Sequence, residues 1–291
     1  MDDRDALAIA SFPMLVLYIA VLVVLVRCRK MEPFDQPVYK LIRALGVCDV
    51  SCTLFLGAYR SLCRHFTLIL GGETFALVFY LVQDVSYCST ILLQALIAAN
   101  RMSAVIFLTK YQRIWNDRVM LAIWLFLCSY GIFVVISLYV SYGFALVFDF
   151  NHGDFLYPNN SPNALLTKVD YYVPPQIALF MLGIAVVFFC YTAAVLGLRR
   201  LYRSLGSSTA QERTRRRREV KLLLVGVLNG SSLLLILGLY PIRELHSNIS
   251  FGVHAVTFWY FSGNPIVYLV VDNGLRTEFK RFVLHCGSPP P

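Results

Sequence analysis

Two charged residues interrupt a long apolar stretch in the first half of the chain. The stretch covers residues 74–107, with Asp84 near one end and Arg101 near the other. The two lie 17 positions apart, which is about 25 Å along an α-helix. About 20 apolar residues suffice for a helix to cross a membrane. Because a charge at membrane depth costs free energy, both residues are candidates for function.

The composition is typical of an integral membrane protein. Of the 291 residues, 58% are hydrophobic and only 15% are charged, whereas about a quarter of a soluble domain is charged. We therefore predict an all-α membrane protein, a bundle of seven transmembrane helices. The predicted spans are residues 8–26, 41–59, 74–107, 119–142, 173–198, 220–240 and 251–271.

The basic residues predict the orientation of this bundle. The net charge is +9, and 21 of the 26 Lys and Arg residues fall on one side of the predicted spans. The positive-inside rule makes that side cytoplasmic and puts the N-terminus outside. The predicted parts are an outer tail (1–7), the seven-span domain (8–271) and a cytoplasmic segment (272–291). No segment is long enough for a soluble nucleic-acid-binding domain.

The segment after the seventh span has an amphipathic pattern. Four apolar residues share one helical face and three basic residues border it. They are Leu275, Phe279, Phe282 and Val283, and Arg276, Lys280 and Arg281. We predict a short helix on the inner membrane surface. Cys286 follows it, either as an S-palmitoylation site or as an unmodified cysteine.

Other connecting segments carry sites for modification or for partners. Asn159 and Asn248 each begin an N-x-S sequon and are glycosylation candidates. The basic run at 213–218 fits a topology anchor that touches anionic lipid. It also fits a rim that binds the acidic surface of a partner, and both roles can hold together.

The end of the predicted seventh span carries the most specific motif. Residues 264–268 read NPIVY, residues 45–49 read LGVCD, and Trp124 lies in the fourth span. In a seven-span chain with its N-terminus outside, these features resemble the rhodopsin-like G-protein-coupled receptors. The chain departs from that pattern in the first span, which lacks the usual asparagine, and in the sixth span, which lacks CWxP.

A narrower resemblance centres on the end of the third span. Residues 100–107 read NRMSAVIF, and residues 110–115 read KYQRIW. This pattern resembles the nematode serpentine chemoreceptors of the srg superfamily, particularly classes gamma and V. The resemblance implies a receptor that binds a small molecule and activates a heterotrimeric G protein.

The resemblance gives Arg101 the role of the switch residue that meets the G protein. Asn100 stands where the wider family has an acidic residue, so we expect Glu219 to hold Arg101 at rest. Asn264, Pro265 and Tyr268 would belong to the same switch. The alternative is that Arg101 only anchors the helix at the membrane boundary.

A second group implied by the resemblance lies at mid-membrane depth. Asp49, Thr90 and Asn264, with Tyr268, would form a polar cluster where related receptors hold Na⁺. A buried carboxylate must be neutralised or paired, so a protonated Asp49 without an ion is the alternative. We expect no other cofactor.

The ligand would bind between the outer halves of the helices, where aromatic side chains with a few polar groups suit a small-molecule pocket. For Asp84, an ion pair with Arg60 is an equally open alternative. The pocket candidates are Gln83, Asp84, Tyr87, Gln176, Tyr240, His254, Phe258 and Trp259.

These features favour a chemosensory receptor in the plasma membrane of sensory neurons or cilia. Its expected partners are a small-molecule ligand, a heterotrimeric G protein and membrane lipids, and its oligomeric state stays open. We expect no enzyme, since no catalytic motif is present. The alternative is a transporter or channel with seven helices, although the internal repeat typical of transporters is missing.

Overall fold

The computed structural model describes most of the chain. The described residues are 3–32, 34–59, 62, 72–107, 110–142, 147–149, 154–156, 173–204, 220, 226–228, 230–232, 235 and 250–284. Within them the chain is predominantly helical, as predicted. The helices are α1 (Asp3–Arg27), α2 (Pro37–Thr53), α3 (Gly72–Ile106), α4 (Tyr111–Ile114), α5 (Asp117–Tyr142), α6 (Val173–Ser204), α7 (Ser250–Ser262), α8 (Asn264–Val271) and α9 (Asn273–Leu284).

Four of the described helices are long and apolar enough to cross a membrane. The apolar parts are Ala10–Arg27 of α1, Val78–Ile106 of α3, Asp117–Ile136 of α5 and Met181–Arg200 of α6. They coincide with the predicted first, third, fourth and fifth spans. The predicted sixth span, 220–240, lies mostly outside the described residues.

The predicted second span is not a single α-helix. It begins at Pro37, whose fixed φ and missing N–H suit the first turn, and α2 ends at Thr53. The chain then continues as a π-helix, Leu54–Tyr59. The rings of Phe55 and Tyr59 stack in this segment and both contact the ring of Phe79 on α3, at centroid distances of 5.6 and 4.9 Å.

The predicted seventh span is also divided, into α7 and α8. Pro265 has no N–H to bond a carbonyl one turn earlier, so the helix cannot continue regularly through it. The chain bends at Gly263, where a side chain would lie 2.6 Å from the carbonyl oxygen of Trp259 and 2.8 Å from its ring. Only glycine therefore fits at this break.

One small element was not predicted. Strands β1 (Val147–Asp149) and β2 (Asp154–Leu156) pair antiparallel, with Phe148 opposite Phe155. They form a hairpin in the connection between α5 and α6, so the fold is not purely helical.

Two of the apolar cores among the described residues position α3. In the first, α2 lies between α1 and α3, with Val21, Leu41, Leu45 and Leu93 fully covered. The second lies along α3 and α6, where the small side chains of Ala98 and Ala194 allow close packing. Together these cores position the C-terminal half of α3 against α2, α5 and α6.

The predicted C-terminal amphipathic helix is present as α9. Leu275 is buried, and Phe279 and Phe282 pack against the first core. Val283, predicted on the same face, is 53% exposed. The difference arises because Val283 directly follows Phe282, so the 100° turn per residue carries it away from the packed face.

Candidate functional site

The carboxylate of Asp49 is the centre of a buried polar cluster. Asp49 is 0% exposed, and its Oδ2 accepts hydrogen bonds from Tyr18 Oη and Asn264 Nδ2, each at 2.6 Å. Thr90 Oγ1 lies 3.4 Å from Oδ1 and donates at 3.0 Å to the carbonyl of Ser86. The predicted grouping of Asp49, Thr90 and Asn264 therefore exists, and it joins α1, α2, α3 and α8.

Tyr18 is the member that sequence reasoning missed. It supplies a donor to Asp49 from α1, the span in which the wider family's asparagine is absent. The sequence signal that points to Tyr18 is a tyrosine within an apolar helix, because the hydroxyl of a buried tyrosine usually finds a hydrogen-bond partner. Tyr268, predicted in this cluster, is buried one turn beyond Asn264 and within electrostatic range of Asp49.

The cluster has the donor chemistry for a small hard cation. Asp49 offers a carboxylate and Thr90 a hydroxyl, and the buried Oδ1 of Asn264 has no hydrogen-bond partner among the described residues. Hard cations take such oxygen ligands. The residues therefore fit Na⁺ as a group.

Arg101 lies near the C-terminal end of α3, which ends at Ile106, and it is only 3% exposed. It is within electrostatic range of the hydroxyls of Tyr191 on α6 and Tyr268 on α8. Such burial disagrees with a simple anchor at the membrane boundary. Glu219, its predicted resting partner, lies outside the described residues.

Asn100 connects α3 to the short helix α4. Tyr111 Oη donates to Asn100 Oδ1 at 3.1 Å, and Trp115 Nε1 donates to Ser103 Oγ at 2.6 Å. Ser103 Oγ in turn donates to the Asn100 carbonyl at 2.8 Å. Residues 100 and 103 share a helix face, as do 111 and 115. The NRMS and KYQRIW segments therefore contact each other through these hydrogen bonds.

The sixth predicted span touches α6 at a glycine. Tyr191 is buried, and its hydroxyl has no hydrogen-bond partner among the described residues. A Cβ on Gly226 would lie 1.9 Å from that hydroxyl. The tyrosine ring therefore occupies the space that a side chain at 226 would need.

Polar contacts also join α2 to the start of α9, to α5 and to the segment after α1. The Tyr39 hydroxyl donates to Asp272 Oδ2, and Asp272 Oδ1 accepts the Gly274 N–H at 2.9 Å at the start of α9. Lys40 Nζ pairs with Asp117 Oδ1 at 3.1 Å between α2 and α5. Arg43 Nη1 donates to the Phe34 carbonyl at 3.0 Å.

Some of the predicted pocket residues lie close together on α3. Gln83 is buried on α3 and Asp84 beside it is partly buried. The ring of Tyr87 lies 5.6 Å from that of Phe261 on α7. Next to Phe261, Tyr260 is buried and its hydroxyl has no hydrogen-bond partner among the described residues. This hydroxyl was missed from sequence.

The other described pocket candidates lie on α6 and α7. Phe258 is partly buried, whereas Trp259 is 47% exposed and its ring lies over Gly263. Gln176 lies on α6 and His254 on α7. Several further predictions fall outside the described residues, namely Tyr240, Arg60, Asn159, Asn248 and Cys286.

Comparison with known proteins identifies the family. The family model for the serpentine-type seven-transmembrane G-protein-coupled chemoreceptor Srx matches residues 15–262, a range that includes Tyr18, Asp49, Thr90 and Arg101. A search of curated proteins found no match. The narrower assignment to classes gamma and V of the srg superfamily stays a prediction. Because the match covers most of the chain, this multi-pass membrane protein belongs to the Srx family of serpentine chemoreceptors.

Proposed function

We propose that this receptor binds a small molecule between the outer halves of its helices and activates a heterotrimeric G protein in the cytoplasm. In this proposal seven spans cross the plasma membrane of a sensory neuron or its cilium, with the N-terminus outside. Support for the proposed function and orientation comes from membership of the Srx family, from the excess of basic residues on one side of the predicted spans and from the hydrogen bonds around Asp49.

The cluster around Asp49 is the observation that carries the proposal. A fully buried carboxylate bonded to α1, α3 and α8 cannot release one partner without leaving polar groups unsatisfied, which costs about 1–3 kcal/mol each. This cost favours movement of the four helices together. A switch requires two discrete arrangements, and in this proposal a ligand that favours one of them shifts the population.

The inner half supplies the proposed output. Arg101 lies near the hydroxyls of Tyr191 and Tyr268, which come from different helices. When those helices separate, the guanidinium becomes available to the G protein, for which its fork of donors is suited. Tyr111 and Trp115 keep α4 attached to α3 beside this opening.

The outer half supplies the proposed input. Tyr87, Phe261 and the unsatisfied hydroxyl of Tyr260 lie close to Gln83 and one helical turn or more outward of Asp49. Aromatic walls with a few polar groups suit a small organic ligand. We assign Tyr260 to this site, and we place Trp259 at the helix break instead.

Na⁺ would stabilise one arrangement of the cluster. Asp49, Thr90 and Asn264 would hold the ion, and its charge would compensate the carboxylate. Tyr18 would then keep the carboxylate oriented from α1.

The proposal is tested by ligand screening in cells that express the chain with a promiscuous G-protein α subunit. Calcium or cAMP would be measured against a panel of volatile and water-soluble metabolites. Arg101→Ala is the test variant. Arg118→Ala is the matched control, because Arg118 is exposed on the same side of the predicted bundle.

We expect a ligand response that Arg118→Ala keeps and Arg101→Ala loses, at equal surface expression. A response that survives Arg101→Ala would contradict the assignment of the switch. A ligand-gated current that persists with G proteins blocked would favour the channel or transporter alternative.

A further inference from the structure

A cluster of exposed cations lies where α1 ends and α9 runs beneath it. We call it the basic patch, and it consists of Arg29, Lys30, Arg276, Lys280 and Arg281. Its residues are separated by about 250 positions in the sequence, so no sequence window reveals it. The proposed receptor function uses none of these side chains.

Contacts between α1 and α9 hold the patch together as one surface. The Arg27 guanidinium lies 5.1 Å from the ring centroid of Phe282. The next residue, Cys28, is buried and within electrostatic range of Glu278 and Arg281. Burial raises the pKa of the Cys28 thiol, Glu278 adds to the rise and Arg281 opposes it. The loop after α1 and the middle of α9 are therefore neighbours.

The positive charge of the patch is largely uncompensated. Within the described part of the chain, Arg281 alone among its members has an acidic partner, Glu278 at 2.7 Å. Arg276 donates to the neutral side chain of Asn273 at 2.7 Å. Arg29 is also within electrostatic range of Arg43, so like charges face each other. An anion bound here would offset this repulsion.

The surroundings of the patch resemble a membrane boundary. The apolar part of α1 ends at Arg27, next to Arg29. Exposed apolar side chains flank the cations on both elements, Val26 on α1 and Val283 and Leu284 on α9. Cations beside apolar surface match a ligand that has an anionic head and acyl chains.

We propose that the basic patch binds the headgroup of a polyanionic membrane lipid of the phosphoinositide class. The phosphates would lie among Arg29, Lys30 and Lys280, and the acyl chains would follow the exposed apolar side of α1. The proposal depends on α1 crossing the membrane. It depends on the proposed receptor orientation only for the leaflet that supplies the lipid.

The test is a lipid titration of the purified full-length chain in detergent, read by native mass spectrometry. The titrant is phosphatidylinositol bisphosphate, with phosphatidylcholine as the neutral comparison. The test variant combines Arg29→Gln, Lys30→Gln and Lys280→Gln. The control variant combines Lys110→Gln, Arg113→Gln and Arg118→Gln, which removes the same charge from exposed residues between α3 and the first turn of α5.

We expect the test variant to lose about tenfold or more in affinity for the bisphosphate lipid, since each surface cation contributes about 1 kcal/mol near anionic lipid. The control variant should lose less than about twofold, and all three proteins should bind phosphatidylcholine equally. Melting temperatures in detergent check that the variants are folded. If the triple variant unfolds, Lys280→Gln alone should still weaken binding severalfold.

Equal losses in the two triple variants would overturn the proposal, because they would indicate attraction by net charge alone. Unchanged affinity in the test variant would overturn it as well. Soluble inositol phosphate binding as tightly as the lipid would contradict the role of the apolar flank. None of these results depends on G-protein coupling, so failure here is separable from failure of the receptor function.

Discussion

At the scale of single residues, the molecule depends on a few buried polar groups. Asp49 has no access to solvent, yet its Oδ2 accepts from donors on two other helices, and Thr90 Oγ1 on a third helix lies 3.4 Å from its Oδ1. Charge-assisted hydrogen bonds of this kind are stronger than neutral ones, and their loss leaves a carboxylate in an apolar medium. We therefore expect removal of a single hydroxyl group from this cluster to lower the stability of the protein more than the small change in side-chain volume would suggest.

Tyr18→Phe tests the contact that replaces the missing asparagine. It keeps the ring and removes the donor to Asp49, so the free energy of unfolding should fall by about 1–2 kcal/mol. The melting temperature in detergent measures this loss. Ser51→Ala is the control, because the Ser51 hydroxyl bonds only the Val47 carbonyl of its own helix. Equal melting temperatures for wild type and Tyr18→Phe would show that the hydroxyl contributes nothing.

At the scale of elements, short contacts decide how the helices are placed. The helix α4 has only four residues, too few to be stable alone, so its position depends on Tyr111 and Trp115. Similarly, α6 fits against the sixth predicted span only because position 226 has no side chain. Each of these two contacts yields a prediction.

Trp115→Phe removes the Nε1 donor to Ser103 while keeping an aromatic ring. We expect G-protein coupling to weaken severalfold, which corresponds to about 1 kcal/mol for one hydrogen bond. The readout is the ligand concentration that gives a half-maximal response. A double-mutant cycle with Ser103→Ala supplies the control, since two partners of one bond should give non-additive losses. Additive losses would mean that the two residues act separately.

Gly226→Ala places a methyl group where Tyr191 now lies. We expect a loss of about 1–3 kcal/mol in the free energy of unfolding from overpacking, measured by thermal melting. Gly230→Ala, one turn later, is the matched control, because its added Cβ would meet Val187 at the milder distance of 3.2 Å. A second change, Tyr191→Ala, should relieve the strain of Gly226→Ala. Equal effects of the two glycine variants would contradict the close fit.

Contacts between elements also explain which parts of the fold the sequence could predict and which it could not. Long apolar runs predicted α1, α3, α5 and α6, because the cost of polar groups in a membrane depends on local composition. The π-helix after Thr53 arises from packing on α3. The break at Gly263 combines the proline with the ring of Trp259. Such tertiary contacts leave no periodic signal.

The candidate site was partly predictable for a related reason. Asp49, Thr90 and Asn264 were grouped correctly from the family resemblance. Tyr18 was not, because a helix's rotation about its axis decides which of its polar residues meets the cluster. Asn100 and Ser103 belong to a sequence pattern that resembles a known family. Their hydrogen bonds to Tyr111 and Trp115 could not be predicted from it, because these bonds depend on how the chain connects α3 to α4.

At the scale of the whole molecule, the described helices contain a buried polar cluster around Asp49, an aromatic group on α3 and α7, and exposed cations on α9. The Asp49 cluster links α1, α2 and α3 to α8, and Arg101 lies on the same helix as Thr90 and Gln83. α3 therefore runs from the proposed ligand site to the proposed output. This continuity is our physical argument that ligand binding and G-protein activation are coupled.

The most direct test of this claim is guanine-nucleotide exchange on a purified heterotrimeric G protein. The receptor would be reconstituted in lipid nanodiscs with a ligand identified in the cell screen. We expect the ligand to accelerate exchange with wild type and with Arg118→Ala, and to leave it at the basal rate with Arg101→Ala. Ligand binding without accelerated exchange in the wild-type protein would contradict the account.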